Sequence, residues 1–541
     1  MRDVVIVGAG HNGLVAACYL AREGLDVEVV EPREVVGGAV STVERFPGYQ
    51  MDVGSSAHIM VRHTGIVEDL GLAEMGLEYQ DLDPWGFAPF GEESLTFHVD
   101  LDRTCQSIAA VCGERDAHAY HAFVTEWAER NERVFRAFQE PPSRSLRHLW
   151  GIGRRSGESG LELSRQFLSS GDALLDATFT DERLKTALAW MGAQSGPPPH
   201  EPATADLVGW NALLHRRPPG HPKGGSGMLS VALARRFEAL GGTLRLGDGA
   251  ARLLVADGAV TGVETTSGER IAAREVVAAC HLLTTLDLIG DEPAAGAEWQ
   301  RLASKARRTL RTGNGIGMIA RLGTSDLPRY PAGAGGAEHR AIQLIAPDRR
   351  ALRAAHGDFV AGRAPAKPPV LAMTFSAFDD TIAPPGKHNV SVWGQWHAYD
   401  LADEDWDAIA EREGRKLVDA VDAVAPGFAD TVEHMHVQTP TDLARELGLI
   451  DGQVMHLEMT LDQMFAWRPL PELSNYRAPL EGLYLSGAST HPGGGVFGAS
   501  GRSSARALLA DRERAARRAR VRDRLDRAES GARDLLRRVR R

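Results

Sequence analysis

The feature that most constrains this chain lies in its first thirty-one residues. Residues 3–7 (Asp-Val-Val-Ile-Val) are an apolar run of the kind that fills a strand covered on both faces. Gly8-Ala9-Gly10-His11-Asn12-Gly13 follows at once, and residues 12–23 then place Leu14, Ala17, Cys18 and Ala21 on one helix face. Residues 26–30 read as a second strand, closed by Glu31, twenty-three residues after Gly8. Each glycine has a physical reason. Gly8 permits the tight turn, Gly10 lets a pyrophosphate approach the backbone, and Gly13 lets the helix close on the strand. The helix N-terminus offers N–H groups and a positive dipole end to phosphates, and a carboxylate at Glu31 suits ribose hydroxyls. A plain Gly-rich turn accounts for the glycines but not for Glu31. A dinucleotide-binding βαβ unit in a parallel sheet is the expectation.

Composition bounds the rest. At 541 residues the chain exceeds one compact core, so two domains are expected. A net charge of -11 speaks against nucleic acid as partner. There is no run of about eighteen apolar residues and no secretion signal, and none of the four cysteines forms a C-x-x-C pair. A reducing, cytoplasmic setting is expected, without a redox dithiol or a metal site. Helices are predicted near 104–138, 228–240, 402–424 and 498–510. Strands are predicted at 243–247, 252–256, 259–265, 275–279, 389–397 and 482–486. Residues 139–160, 197–227 and 323–368 read as irregular or loop. The tail 511–541 holds thirteen Arg against six acidic residues. It reads as a solvated surface helix or, alternatively, as a basic amphipathic helix making peripheral contact with an anionic membrane.

NAD and FAD share the opening fingerprint, so later residues must decide between them. Arg33, Gly37-Gly38-Ala39 and Ser41-Thr42 follow the second strand, and a di-glycine there brings the chain back over the nucleotide. Near the other end, Leu483-Tyr484-Leu485-Ser486-Gly487-Ala488 is a strand ending in Gly-Ala, followed by His491-Pro492-Gly493-Gly494-Gly495-Val496 and a small-residue helix. A Gly-rich turn entering a helix N-terminus suits a flavin's ribityl chain or its N1–C2=O edge. Together the two segments point to FAD.

Residues 8–14, Val35-Val36-Gly37-Gly38-Ala39 and Thr490-His491-Pro492-Gly493-Gly494-Gly495-Val496 resemble the carotenoid (phytoene) desaturase family, in its phytoene-dehydrogenase-related branch. Residues 222–227, 383–388 and 461–464 with Arg468-Pro469 support that branch. The resemblance implies an α/β, two-domain FAD-binding Rossmann-type fold of the glutathione-reductase and amine-oxidase kind, with an inserted α+β substrate domain. The expected division is 1–75, 223–300 and 475–510 for the FAD domain, 76–222 and 301–474 for the substrate domain, and 511–541 for a basic helical tail. The resemblance assigns Gly8, Gly10, Gly13, Glu31, Arg33, Gly37 and Gly38 to the ADP part. It assigns Ala251 to the adenine, and Gly487, Ala488, Gly495 and Val496 to the ribityl and ring part. Ala39 stands where many relatives carry Arg, which opens space near the pyrophosphate. Ala488 stands where related flavoproteins often carry Asp.

A flavin dehydrogenase must orient a C–H bond, accept a proton and exclude water. His58 and His456 are the candidate bases among Asp52, His58, His63, His456, Glu458 and Asp462. Trp190, Trp393, Trp396, Tyr399 and Phe465 are candidates to line a substrate cavity, with core packing the equal alternative. The leading reading is a dehydrogenase or desaturase of a lipophilic, unsaturated or readily aromatised small molecule, reoxidised by oxygen or a quinone. The alternatives are a redox-neutral isomerase using reduced FAD, a flavin amine oxidase, and a flavin-binding interaction protein with little turnover. The amine-oxidase reading is weakened because the chain has only six lysines.

Overall fold

The computed structural model describes residues 1–143 and 160–539. The opening segment folds as the glycine spacing requires. Strand Arg2–Val7 runs into helix His11–Arg22 and returns as strand Val27–Val30, parallel to the first. Alternate residues of the first strand face opposite cores. Val4 and Ile6 join the cluster beneath helices His11–Arg22 and Met228–Ala239, and Val5 and Val7 join the cluster beneath Leu282–Ile289 and Gly296–Thr309. A strand covered on both faces has no polar positions to spare, which is why this run is apolar throughout.

The first sheet takes its strands from distant parts of the chain. In order they are Ala250–Ala256, Ala259–Thr265, Arg270–Ala278, Arg2–Val7, Val27–Val30 and Thr243–Arg245. The long strand Arg270–Ala278 changes partner along its length. Its start pairs antiparallel with Ala259–Thr265, and its end pairs parallel with Leu483–Leu485. That last pairing sets the Gly-rich segment after Leu485 beside the turn after Val7, because Ala278 is the register partner of both residues. The second sheet is mostly antiparallel, in the order Val432–Gln438, Gly315–Thr324, His388–Ala398, Val370–Met373, Ile342–Ile345, Gly86–Phe90 and Glu93–Phe97. Helix Trp406–Asp422 covers one face through Trp406, Ile409, Leu417 and Val421. Helix Glu182–Gly192 packs on the other with Leu184, Leu188 and Trp190.

Several expectations change. Residues 323–368, read as loop from their Gly, Pro and Ala content, contain strand Ile342–Ile345 and helix Arg349–Val360. Tertiary pairing with Gly86–Phe90 overrides the weak local signal there. Within 197–227 lie helix Ala205–Gly209 and strand Gly220–Pro222. Of the irregular stretch 139–160, residues 144–159 lie outside the described residues. The helix expected to end near 510 runs unbroken as Ala499–Val539. Its first ten residues are largely buried, and from Glu513 onward the described side chains are exposed. No helix among the described residues is long and apolar enough to cross a membrane.

Arg321 of the second sheet is buried and ties that sheet to the chain after strand Tyr49–Asp52. Its guanidinium donates to the Val53 carbonyl at 3.1 Å, Ser56 at 3.2 Å, Ser391 at 2.8 Å and Gln438 at 3.3 Å. Burial pulls its pKa down to about 10, with Asp52 opposing. Arg321→Met strands these acceptors and is expected to cost about 2–4 kcal/mol. A lower midpoint in thermal unfolding of the holoprotein checks this, and an unchanged midpoint contradicts it.

Candidate functional site

The turn after the first strand is built from backbone alone. Gly8 has φ +102°, a conformation that side chains other than glycine's disfavour. A Cβ on Gly13 would collide with the Gly8 carbonyl oxygen, so helix and turn touch directly. Gly10 differs: its φ of -62° suits any residue, and a Cβ there would meet no atom within 4 Å. The space above Gly10 is open. Gly10 is also the N-cap of His11–Arg22, with no capping side chain and no acidic residue in the first turn. The helix thus presents free N–H groups and an uncompensated positive end to that space, which is what an anionic ligand needs.

Glu31 is buried at the end of the second strand. Its carboxylate accepts from the Ala9 N–H at 2.8 Å and the Arg33 N–H at 3.1 Å, and burial raises its pKa. Gly37 donates to the Ala9 carbonyl at 2.8 Å and pairs with Gly10 as an isolated bridge. With φ +108° and the Ser230 hydroxyl 2.7 Å from where a Cβ would stand, Gly37 admits no side chain. Gly38 lies against Gly10, Arg33 donates to the Gly38 carbonyl at 3.0 Å, and the Ala39 carbonyl accepts from Gly54 at 3.1 Å. Ala251 is exposed on its strand, two residues beyond Gly249, which packs on Pro32. Gly8, Gly10, Gly13, Glu31, Gly37 and Gly38 gather at one end of the open space, and their donors and glycine cradle fit the ADP half of a dinucleotide.

The other end is supplied from 450 residues further along. Gly487 has φ +93°, Gly495 φ +105° and Val496 φ +58°. The last is a β-branched residue in the left-handed region, a strain that surrounding structure must impose. Helix Ala499–Val539 begins just beyond. A Cβ on Gly501 would collide with the Asn12 carbonyl oxygen, and the Gly501 N–H points at Asn12 Oδ1 at 3.4 Å. The first and last helices therefore meet at their N-termini, and both positive ends serve one region.

The candidate bases differ in what their ring nitrogens touch. His58 is fully buried, with Nδ1 2.7 Å from the Tyr79 hydroxyl and Nε2 3.2 Å from the Ser226 hydroxyl. Burial drives its pKa down to about 3, and both nitrogens are spent on structure. His456 has φ +66° and a buried Nδ1 with no hydrogen-bond partner among the described residues. Its ring stacks on His281 at 5.1 Å, and His281 Nε2 donates to the His456 carbonyl at 2.9 Å. Burial, reinforced by His281 and Arg468, holds the His456 pKa well below 6.5. Asp52 is occupied by Thr42 and the Ser226 N–H, each at 2.8 Å, and Glu458 and Asp462 both pair with Arg311. His63 is half-buried beside Phe135, and desolvation pushes its pKa down to about 4.

The proposed substrate residues separate into two groups. Trp190 donates to the Val370 carbonyl at 3.0 Å deep in the second unit's core, and Trp393 donates to Gln395 at 2.6 Å. Tyr399 follows the end of strand His388–Ala398, its N–H on the Asn314 carbonyl at 2.8 Å. Phe465 stacks on Phe138 at 5.1 Å, in a cluster with Phe135, Phe497, Met459 and Met464. Trp396 lines a cavity of about 110 Å³ shared with Ile316, Phe359, Gln453 and Met459. Met459 in turn lies against Gly493 of the Gly-rich loop, so the cavity and the aromatic cluster adjoin that loop.

Three residues emerge only here. His11 is half-buried at the start of the first helix, and desolvation lowers its pKa to about 4. Asn12 joins the two helix ends. Arg468 is fully buried and donates to the carbonyls flanking His456, Met455 at 2.7 Å and Leu457 at 3.5 Å, and to Ala488 at 2.7 Å. Arg468-Pro469 stands among the segments that carry the family resemblance, but neither that nor its apolar Phe-Ala-Trp-Arg-Pro-Leu setting gives the arginine a role.

Residues 6–70 match the NAD(P)-binding Rossmann-like domain family. The chain is 32% identical to pyridine nucleotide-disulfide oxidoreductase domain-containing protein 2 of Rattus norvegicus, over 94% of this chain and 93% of the rat protein. It is 25% identical to a phytoene desaturase (neurosporene-forming) of Cereibacter sphaeroides, over 96% and 97%. The chain belongs to the phytoene desaturase family, in the branch of the rat protein. A triple mutant of putrescine oxidase shares the fold at a TM-score of 0.60 and 16% identity, over 95% of this chain and 99% of that one. This family member is an FAD-dependent oxidoreductase of the dehydrogenase and desaturase type, on the two-domain FAD-binding Rossmann-type fold. The four cysteines of this chain, Cys18, Cys105, Cys112 and Cys280, are all free.

The two helix-opening glycines make opposite predictions. Gly10→Ala is expected to leave the far-ultraviolet circular dichroism unchanged while the purified protein loses FAD. Gly13→Ala is expected to disturb folding itself, because its collision is with backbone. Retention of full FAD by Gly10→Ala contradicts the placement of the pyrophosphate.

Proposed function

We propose that this protein removes two hydrogens from a lipophilic, unsaturated small molecule. The observation that carries the reading is the contact between the Gly-rich loop 493–495 and an aromatic and methionine cluster, where Met459 touches both. Such a lining binds conjugated or polyunsaturated carbon by dispersion and gives a polar substrate nothing to pair with. The phytoene desaturase among the relatives is named for a substrate of that kind. Four of the six lysines, Lys185, Lys305, Lys387 and Lys416, are held in ion pairs with carboxylates, which supports this reading over amine oxidation.

Gly8, Gly10, Gly13, Glu31, Arg33, Gly37, Gly38 and Ala39 would hold the ADP part, with Ala251 beside the adenine. Gly487, Ala488, Gly495 and Val496 would hold the ribityl chain and ring. When bound, FAD supplies the two-electron acceptor for a hydride leaving the substrate. The protein's own share is to orient the C–H bond within the aromatic cluster, keep water out and take up the proton. His456 Nδ1 is the acceptor we assign: it is buried, unpaired and neutral, and its backbone is held in a strained conformation. His58, with both nitrogens occupied, supports the fold beneath the site. Trp396 and Phe465 belong to the substrate path, while Trp190, Trp393 and Tyr399 stabilise the second sheet. We keep the division at residues 75, 222, 300 and 474, each lying between a strand of one sheet and a strand of the other, whereas 510 falls inside helix Ala499–Val539 and the tail is the exposed end of that helix. We assign reoxidation to oxygen or a quinone. We assign the exposed Arg-rich part of the last helix, with Val521 and Leu525 outward, to contact with an anionic membrane surface.

Anaerobic mixing with conjugated polyenes or cyclic dienes is expected to bleach the flavin band, with product two hydrogens lighter than substrate. No bleaching with any of them, while photoreduced enzyme reoxidises normally in air or with quinone, rules out the substrate class. Vesicle sedimentation with and without residues 511–541 checks the membrane assignment.

His456→Asn is expected to slow flavin reduction by about 10²–10⁴-fold with FAD still bound. Because burial lowers the His456 pKa, its ring stays neutral as pH falls through 6.5. The wild-type reduction rate is therefore expected to stay level between about pH 8 and pH 6. A rate that falls with an apparent pKa near 6.5 counts against His456.

A further inference from the structure

The charge of the buried Arg468 has no part in the chemistry proposed above. Its side chain is fully buried, and every acceptor around it is a backbone carbonyl. Nε and Nη2 donate to Ala488 at 3.1 and 2.7 Å, Nη1 to Glu458 at 3.3 Å and Gln463 at 3.2 Å, and Nη2 to Met455 and Leu457. Among the described residues no carboxylate offsets its charge. Burial alone acts on its pKa, lowering it to about 9, still protonated at neutral pH. Of the neighbouring titratable groups, His281 and His491 are buried and His456 is half-buried; all three have lowered pKa values and carry no negative charge. Carbonyl dipoles solvate a buried cation but do not neutralise it, so the folded protein holds a positive charge awaiting an anion.

Its position says which anion. The guanidinium carbon lies 3.3 Å from where a Cβ of Gly493 would stand, and two of its donors grip Ala488. Arg468 thus touches both Ala488 and the Gly-rich loop at Gly493, the two segments assigned above to the ribityl chain and ring. We propose that Arg468 is the electrostatic counterpart of the reduced flavin, favouring uptake of two electrons with one proton, so that the reduced cofactor keeps a negative charge. This rests on the FAD site proposed above. In oxidised enzyme the ring is neutral and the charge unmatched. On reduction the pair completes, which draws electrons from a substrate that is a poor hydride donor.

The proposal is tested by the flavin midpoint potential of the holoenzyme, equilibrated with reference dyes across about pH 5.5–8. One proton per two electrons gives a slope of about 30 mV per pH unit, and two protons give about 60 mV. The first is expected throughout, and the second at the acidic end overturns the proposal. Arg468→Gln is expected to shift the ratio of reduced to oxidised enzyme about a hundredfold toward oxidised at fixed potential, or about 60 mV. Arg468→Lys, which keeps the charge and loses most of the carbonyl contacts, is expected to stay within about threefold of wild type. Equal potentials in the two variants make Arg468 a structural clamp only and overturn the charge role. If Arg468→Gln does not retain FAD, the wild-type slope and the lysine variant decide. Wild-type protein that takes up no FAD defeats the site assignment instead, so the two failures are distinct.

Discussion

Gly501 has no side chain, and the carbonyl oxygen of Asn12 occupies the space where one would stand. Across this contact the last helix lies with its N-terminus on the N-terminus of the first. Two helix dipoles pointing the same way at close range repel, and no acidic residue occupies the first turn of either helix to relieve them. The arrangement is therefore stable in the presence of something negative. In the site proposed above, the pyrophosphate of a dinucleotide supplies it at the first helix. The parallel pairing of Leu483–Leu485 with the strand that also flanks Arg2–Val7 brings the two helix ends together.

The same logic extends outward through buried arginines. Arg321 holds the second sheet to the segment after Asp52, and Arg468 holds the loop of His456 to Ala488. Both are satisfied mainly by carbonyl and hydroxyl oxygens. A buried cation without a carboxylate is costly to keep, and such a cost is usual where charge serves a function beyond stability. His456 and Val496, both at positive φ, lie within two residues of a direct contact, that of Met455 with Gly494, and Met455 also packs on the aromatic cluster.

Much of this was legible beforehand. The opening strand, helix and strand were expected at 3–7, 12–23 and 26–30, and stand at Arg2–Val7, His11–Arg22 and Val27–Val30. They are local structures, specified by glycine geometry and apolar periodicity within one βαβ unit. The second sheet was harder to read. Strand Ile342–Ile345 pairs with Gly86–Phe90, some 256 residues earlier, and its own neighbourhood of Gly, Pro and Ala signals loop. Candidate bases were equally opaque. His58 and His456 look alike as isolated histidines, and only their surroundings separate one with two hydrogen-bond partners from one with a free Nδ1.

By itself, the sequence determined that the chain binds a dinucleotide and that this dinucleotide is a flavin. Both facts rest on residue types whose physical role is local: glycines that admit phosphate, a carboxylate at a strand end, a Gly-rich helix entry. The tertiary structure decided that His456 keeps an unpaired Nδ1 while His58 does not, that an aromatic and methionine cluster meets the Gly-rich loop, and that Arg468 stands without a carboxylate between Ala488 and Gly493. None of these is a property of a residue's type or spacing. Each is set by what lies within a few ångströms, and those neighbours come from parts of the chain as far apart as Asn12 and Gly501.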